Sequence, residues 1–327
     1  MQGWAREAGY SITNIVGIDV SKRELVVVVS GHAALRRYTN DAAGRRRLCR
    51  DLAKIVGTGT LRVGLEASGG YERKTVSALR KAGFEVIVFQ PIQVRAYARY
   101  LGQRAKTDPI DAHIIALATA AYEGEIGHSD ERLSSMAEHL TFIEQTEEDI
   151  VRLKTRLDGF TDTALKTRLA AEIKRLTTRR NAEIRSLRKT LRQHLDLATR
   201  LDLVTSIEGI GERTALTLII RMPELGSLTR EEAASLAGLA PFDDQSGKTD
   251  RIRHIKGGRA KVRRSLYAAA LPAAFKWNTA LVDLYHRLTA RGATHKKALI
   301  ACARKLLIFA NAVLARGTPW IKSGATA

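Results

Sequence analysis

Residues 14–20 read NIVGIDV, a short apolar run that closes on an acid, Asp19. Runs of this length, rich in β-branched residues, read as buried strands. Ser21-Lys22 reads as a turn, and ELVVVVS follows as a second strand that is nearly all valine. ALRRYTN fits a third strand. Asn40 then suits the cap of a helix from Asp41 to about Val56, with Leu48, Leu52 and Ile55 turned inward. LRVGLEA is a fourth strand and ends on a second acid, Glu66. Ser68-Gly69-Gly70 turns the chain into a helix near Tyr71 to Ala82. EVIVFQ gives a fifth strand, a helix follows Pro91, and another opens at Pro109. Hairpin-linked strands followed by alternating strand and helix predict an α/β domain, a mixed sheet covered by helices.

This order is that of the ribonuclease-H-like fold. There the first and fourth strands lie side by side, which brings Asp19 next to Glu66. The helix opened by KTDPIDA, residues 106–112, adds Asp108 and Asp111 at a spacing of three. Pro109 suits the first helical position, which sets Asp108 at the N-cap and Asp111 at the third position. Residues three apart share one side of a helix. One reading is a capping box. The other is a hard-cation site, since four acids from three elements supply the oxygen ligands that Mg²⁺ prefers.

The chain has 327 residues, with 54 Lys and Arg against 34 Asp and Glu, a formal net charge of +20. Charge of this sign points to a polyanionic partner, nucleic acid first. Two lone cysteines, Cys49 and Cys302, argue against a disulfide framework or a zinc cluster. No basic-then-apolar leader opens the chain, and no apolar run approaches the roughly 20 residues that span a bilayer. The expectation is an intracellular protein that does not enter membranes.

Residues 131–203 carry no strand signal. Met136, Leu140, Ile143, Ile150, Leu157 and Phe160 mark one apolar seam, interrupted by Glu147 and Lys154. Leu165, Leu169, Ile173, Leu176, Ile184, Leu187 and Leu191 mark a second. Two long helices are predicted, packed as a coiled coil on each other or on a partner. The first begins acidic and the second is strongly basic, which suits either a solvated face or nucleic-acid contact. Next, Gly209-Ile210-Gly211 sits between apolar helical runs in the form of a helix-hairpin-helix, whose turn offers amides to a phosphate. Pro241 to Asp250 reads as a polar loop containing Ser246-Gly247. A basic run follows: Lys248, Arg251, Arg253, His254, Lys256, Arg259, Lys261, Arg263 and Arg264, with Gly257-Gly258 able to let a phosphate approach. From Arg259 onward the chain looks helical. Ser-Gly in a loop is most simply a turn, and no His-Asp pair stands beside Ser246 to activate it.

The motifs GIDVSK, GLEASGGY and KTDPIDA, with SIEGIGERTA, LAGLAPFDDQSGK, IKGGRAKVRRSLY and KKALIACARKLL, resemble the transposases of insertion-sequence family 110. The match runs from about residue 15 to 315. The family includes a DNA invertase and bridge-RNA-guided recombinases. The resemblance implies a Ruv-resolvase-like DEDD domain over residues 1–130, a helical coiled-coil linker over 131–203 and a mostly helical transposase domain over 204–327. It implies that Asp19, Glu66, Asp108 and Asp111 bind Mg²⁺, as two ions, and that Ser246 is the nucleophile. It also implies donor and target duplex DNA and a structured guide RNA as partners, homodimers or tetramers, and a cytoplasmic, nucleoid-associated prokaryotic setting. A resolvase-like metal nuclease using water and a non-catalytic nucleic-acid scaffold are the alternatives. Two departures stand out: the acidic Asp243-Asp244 pair before Ser246, and Gly292-Ala293-Thr294-His295-Lys296-Lys297, where relatives often carry lysine directly after the glycine.

Overall fold

The computed structural model describes residues 14–31, 35–56, 60–103, 107–124, 130–242, 245–246, 249–250, 254–255 and 257–321. Its contacts divide the chain into two compact units, parting between residues 129 and 130.

The first unit contains β1 (Asn14–Val20), β2 (Glu24–Val29), β3 (Arg36–Thr39), α1 (Ala42–Val56), β4 (Leu61–Glu66), α2 (Arg73–Lys81), β5 (Glu85–Phe89), α3 (Pro91–Tyr100) and α4 (Asp108–Ala120). The sheet order is β3-β2-β1-β4-β5. β2 runs antiparallel to β1 and β3, while β1, β4 and β5 are parallel. Side chains alternate across a strand. Val16, Ile18 and Val20 therefore go to one face, in a core with Leu48 and Leu52 of α1 and Val76 and Leu79 of α2. Gly17 and Asp19 go to the other face, beneath α4. On that side Ile87 and Phe89 pack with Val94 of α3 and with Ile114 and Ile115 of α4.

Two local expectations shift. Asn40 does not cap α1; the Asp41 carboxylate accepts from the Gly44 amide at 2.7 Å instead. Asp108 is the first residue of α4, not its cap, because Thr107 keeps the extended backbone of a cap. Asp111 is thus the fourth helical residue. The three-residue spacing is unchanged, so both acids still lie in the first turn.

The second unit begins with two long helices, α5 (Glu131–Gly159) and α6 (Thr163–Arg192). Asp130 and Asp162 cap them, accepting from the amides of Arg132 and Leu165. Residues 160–162 reverse the chain, and the helices pair antiparallel. His139 Nε2 lies 2.8 Å from Glu183 Oε2, and Arg179 stands over the Phe142 ring. Shorter elements follow: α7 (Leu195–Thr205), α8 (Glu212–Arg221), α9 (Arg230–Leu236), the two-residue strands β6 (Pro241–Phe242), β7 (Gln245–Ser246), β8 (Thr249–Asp250) and β9 (His254–Ile255), then α10 (Ala260–Pro272), a π-helical turn (Ala273–Trp277), α11 (Thr279–Ala290) and α12 (His295–Arg316). Leu133, Met136, Leu140 and Ile143 of α5 share one core with Leu187 and Leu191 of α6 and with α7, α8, α10 and α12. The seam does not stay buried to its tip: Phe160 and Leu165 are about 40% exposed.

Contrary to the sequence expectation, α12 is apolar enough, over its 22 residues, to cross a membrane by length and composition. Its Leu299, Cys302, Leu306, Leu307, Ala310 and Val313 are fully buried in the core just described. It is the central helix of this unit. The segment expected as a polar loop contains two short antiparallel pairs, β6 with β9 and β7 with β8.

Candidate active site

Two glycines bring the acids together. Gly17 faces Gly64 in the parallel ladder between β1 and β4. A side chain at Gly17 would meet the Ala112 carbonyl at 2.1 Å and the Ala116 nitrogen at 2.4 Å, and one at Gly64 would meet Thr119 Oγ1 at 1.8 Å. α4 therefore lies directly on the backbones of β1 and β4. Asp19 and Glu66 each stand two residues beyond their glycine, on the face that α4 covers. The register Ile18↔Leu65, carried one step further, sets Asp19 opposite Glu66. Asp108 and Asp111 come from the first turn of α4, ahead of Ala112.

The electrostatics agree with this placement. The Asp19 carboxyl is raised to about 6, first by burial and then by the negative charges of Asp108, Asp111 and Glu66. The four acids are close enough to act on one another. Among the described residues no three Asp, Glu, His or Cys side chains approach closely enough to hold one ion together. The donor chemistry of three half-buried carboxylates and the exposed Asp108 fits a hard divalent cation.

The loops that follow the two strands are tied together by residues the sequence did not single out for this. Asn40 Nδ2 donates to the Ser21 carbonyl at 2.8 Å and to the Tyr71 carbonyl at 3.2 Å. Its Oδ1 accepts from Arg45 and from Thr75 Oγ1. Ser21 follows Asp19 closely, and Tyr71 ends the turn after Glu66, so one amide fastens both acid-bearing ends. Glu72 does similar work within that turn, accepting from the amides of Ser68 and Gly70 at 3.0 and 2.9 Å. These contacts span 19 and 31 residues, and the capping reading of Asn40 hid them.

Ser246 lies in the second unit, where its backbone pairs with Thr249. Lys248, Arg251, Arg253 and Lys256 lie outside the described residues. Four cations of the basic run, Arg259, Lys261, Arg263 and Arg264, have partners inside the unit. Arg259 forks onto Glu224 at 2.8 and 2.6 Å and donates to the Arg221 carbonyl. Lys261 reaches Glu144 at 2.6 Å and Arg264 reaches Glu148 at 2.8 Å. Arg263 donates to the Gly257 carbonyl at 2.7 Å. Gly258 packs on the backbone of Gly238. The acids Glu144 and Glu147 also receive Arg221 and Arg213 as two-pronged pairs. The acidic stretch of α5 thus fastens α8 and α10 to the hairpin.

Gly209 takes a positive φ of 96° and backs onto Ala273, while Gly211 caps α8 with open space on its Cβ side. α7 and α8 flank this turn, as a helix-hairpin-helix requires. In the first turn of α8 the Thr214 amide donates to the Gly211 carbonyl at 3.0 Å.

Two family profiles match the chain. One, described as "Transposase" and of the DEDD type of IS110 elements, covers residues 16–166. The other, described as "Transposase IS116/IS110/IS902 family", covers residues 201–287. The chain belongs to the IS110 family of transposases. It is 26% identical over 315 residues to the pilin gene-inverting protein of Moraxella bovis, covering 94% of this chain and 97% of that one. The pilin gene-inverting protein of Moraxella lacunata matches at the same identity and coverage. An IS110 uncharacterized 43.6 kDa protein of Streptomyces coelicolor is 35% identical over 117 residues, 35% of this chain and 29% of that one. As an IS110 transposase the protein is an enzyme of DNA recombination, and its DEDD-type domain implies dependence on a divalent metal.

Proposed function

We propose that this transposase is an RNA-guided DNA recombinase that cuts and rejoins strands through a covalent bond to Ser246. The observation that carries the reading is the strand register, which directs Asp19 and Glu66 to one place beneath the acidic first turn of α4. Asp19, Glu66, Asp108 and Asp111 would hold Mg²⁺, as two ions. When bound, the metal neutralises phosphate charge and stabilises the attacking and leaving oxygens. The first unit is then ribonuclease-H-like, the helices of 131–203 form a coiled-coil arm, and residues 204–327 carry the serine.

Ser246 Oγ attacks the scissile phosphorus, and the bond to the leaving deoxyribose oxygen breaks. The hydroxyl proton passes to solvent, and the leaving oxygen takes one up. A phosphodiester replaces a phosphodiester, so rejoining to a second strand needs no ATP. The β7–β8 pair supports this role, since Ser246 takes its last register position, opposite Thr249. Lys248, Arg251, Arg253 and Lys256 would hold the DNA backbone around it. The helix N-terminus that follows Gly209 and Gly211 would take a further phosphate. Guidance by a structured RNA, which would pair with donor and target DNA, rests on the family resemblance. The half-exposed apolar tip of the α5–α6 hairpin supports assembly into dimers or tetramers, in which acids of one subunit meet the serine of another. The setting would be the cytoplasm and its nucleoid.

Covalent trapping tests this. Purified protein, Mg²⁺, the element's own RNA and labelled donor DNA are mixed, denatured and run on a gel. A labelled protein–DNA band is expected, absent in Ser246→Ala and in Asp108→Asn. Cleaved DNA without that band would replace the serine with water as nucleophile. RNA bound with no cleavage would leave a scaffold.

A further inference from the structure

The π-helical turn at Ala273–Trp277 interrupts a helical run, and single π turns of this kind gather at functional places. Ala273 and Ala274 are buried, while Phe275 and Trp277 are 50% and 57% exposed. Large aromatic faces are costly to leave in water. The surroundings are built rather than loose. Phe275 packs against Tyr285 with centroids 4.9 Å apart and stacks on His295 at 6.1 Å. The Tyr285 hydroxyl and His295 Nδ1 share a hydrogen bond of 2.7 Å. Asn278 locks the end of the turn: its side chain accepts from the Leu281 amide and donates to the Glu208 carbonyl. The Phe275 ring is thus held by α11 and by the start of α12.

Cations border the rings. Lys276 lies over the Trp277 ring at 5.4 Å. Lys296 and Lys297 follow His295 directly and are exposed. Aromatic faces set among cations fit a strand whose bases stack and whose phosphates are neutralised. An apolar protein partner would leave those cations unmatched. A duplex keeps its bases stacked on each other and cannot offer them.

We infer that Phe275 and Trp277 form a stacking platform for unpaired bases of single-stranded DNA, with Lys276, Lys296 and Lys297 along its backbone. Membership of a transposase family supplies DNA as the polymer, and strands cut from a duplex supply the single-stranded form. The inference needs neither the acids nor Ser246.

The test uses the full chain and three labelled probes: a thymidine oligonucleotide, a uridine oligonucleotide and a blunt DNA duplex, with affinity read by fluorescence anisotropy. Trp277→Ala should weaken thymidine-oligonucleotide binding about ten-fold or more. Trp277→Phe should restore it, and duplex binding should stay within about two-fold. Phe275→Ala should act in the same direction, but it also removes packing, so the Trp277 pair decides. Unchanged thymidine affinity in Trp277→Ala, with wild-type melting, overturns the inference. Loss confined to the uridine probe overturns it in favour of RNA. Equal loss on all three probes reduces the patch to general charge. Because binding is read without cleavage, a failed serine mechanism leaves this result standing.

Discussion

Gly17 on β1 and Gly64 on β4 face one another across the parallel ladder, and α4 lies over both. The two contacts differ in kind. An added methyl at Gly17 meets helix backbone, whereas one at Gly64 meets the hydroxyl of Thr119. Backbone cannot step aside, so Gly17→Ala should destabilise the first unit by about 1–3 kcal/mol and abolish recombination by moving Asp108 and Asp111. Gly64→Ala should cost less and be partly rescued by Thr119→Ala. Urea unfolding of the four proteins, with strand-transfer rates, checks this.

Asn40 should behave as a positioning residue. Asn40→Ala releases the Ser21 and Tyr71 carbonyls together. The expected cost is about 1–2 kcal/mol in stability, with a larger relative loss in turnover and a raised metal requirement. A titration of activity against Mg²⁺ separates this from a purely structural fault, which would lower the maximum without moving the midpoint.

The Asp19 carboxyl sets a direction for pH. Its folded value, about 6, stands above the ordinary 3.8. The folded state therefore holds this proton more tightly than the unfolded chain does, and the group favours folding most below about pH 4. That contribution is lost as pH rises from about 4 to about 6, on the order of 1 kcal/mol once solvent screening is allowed for. Unfolding without metal should show this slope in wild type and less of it in Asp19→Asn. Added Mg²⁺ should stabilise wild type above pH 6, where the carboxylate is charged, and do less for the variant.

Glu144 should be the costliest acid to remove from the second unit. It is buried and receives Arg221 and Lys261 at once. Glu144→Ala strands both cations and should cost about 3 kcal/mol or more, lowering the melting temperature by roughly 10 °C. Glu148→Ala, whose carboxylate and Arg264 partner are largely exposed, should change melting little. Differential scanning calorimetry of the two variants gives the comparison.

Much of the first unit was legible because its strands are dense in valine and isoleucine and end on acids. Their order matched the ribonuclease-H-like fold, in which the first and fourth strands are neighbours, and that likeness set Asp19 beside Glu66. What escaped were contacts between distant residues. Asn40 looked like a cap because local chemistry favours that use, yet its partners are Ser21 and Tyr71. The segment around Ser246 is built of two-residue strands, too short to show a period of two. Arg259, Lys261 and Arg264 read as a basic surface because their partners lie far away in the chain; Arg264 and Glu148 are 116 residues apart. The acidic stretch Glu144, Glu147, Glu148 was the available signal, since a charged run facing a packed unit calls for its opposite.

The fastening of α10 to α5 has a mechanical meaning. α5 is 29 residues long, about 44 Å, and its buried residues stop at Ile150. Its last turns carry no buried residue, while its middle is held at Glu144 by Lys261 in the first turn of α10. Two cations of the basic run, Lys261 and Arg264, are thus spent on holding α10 against α5.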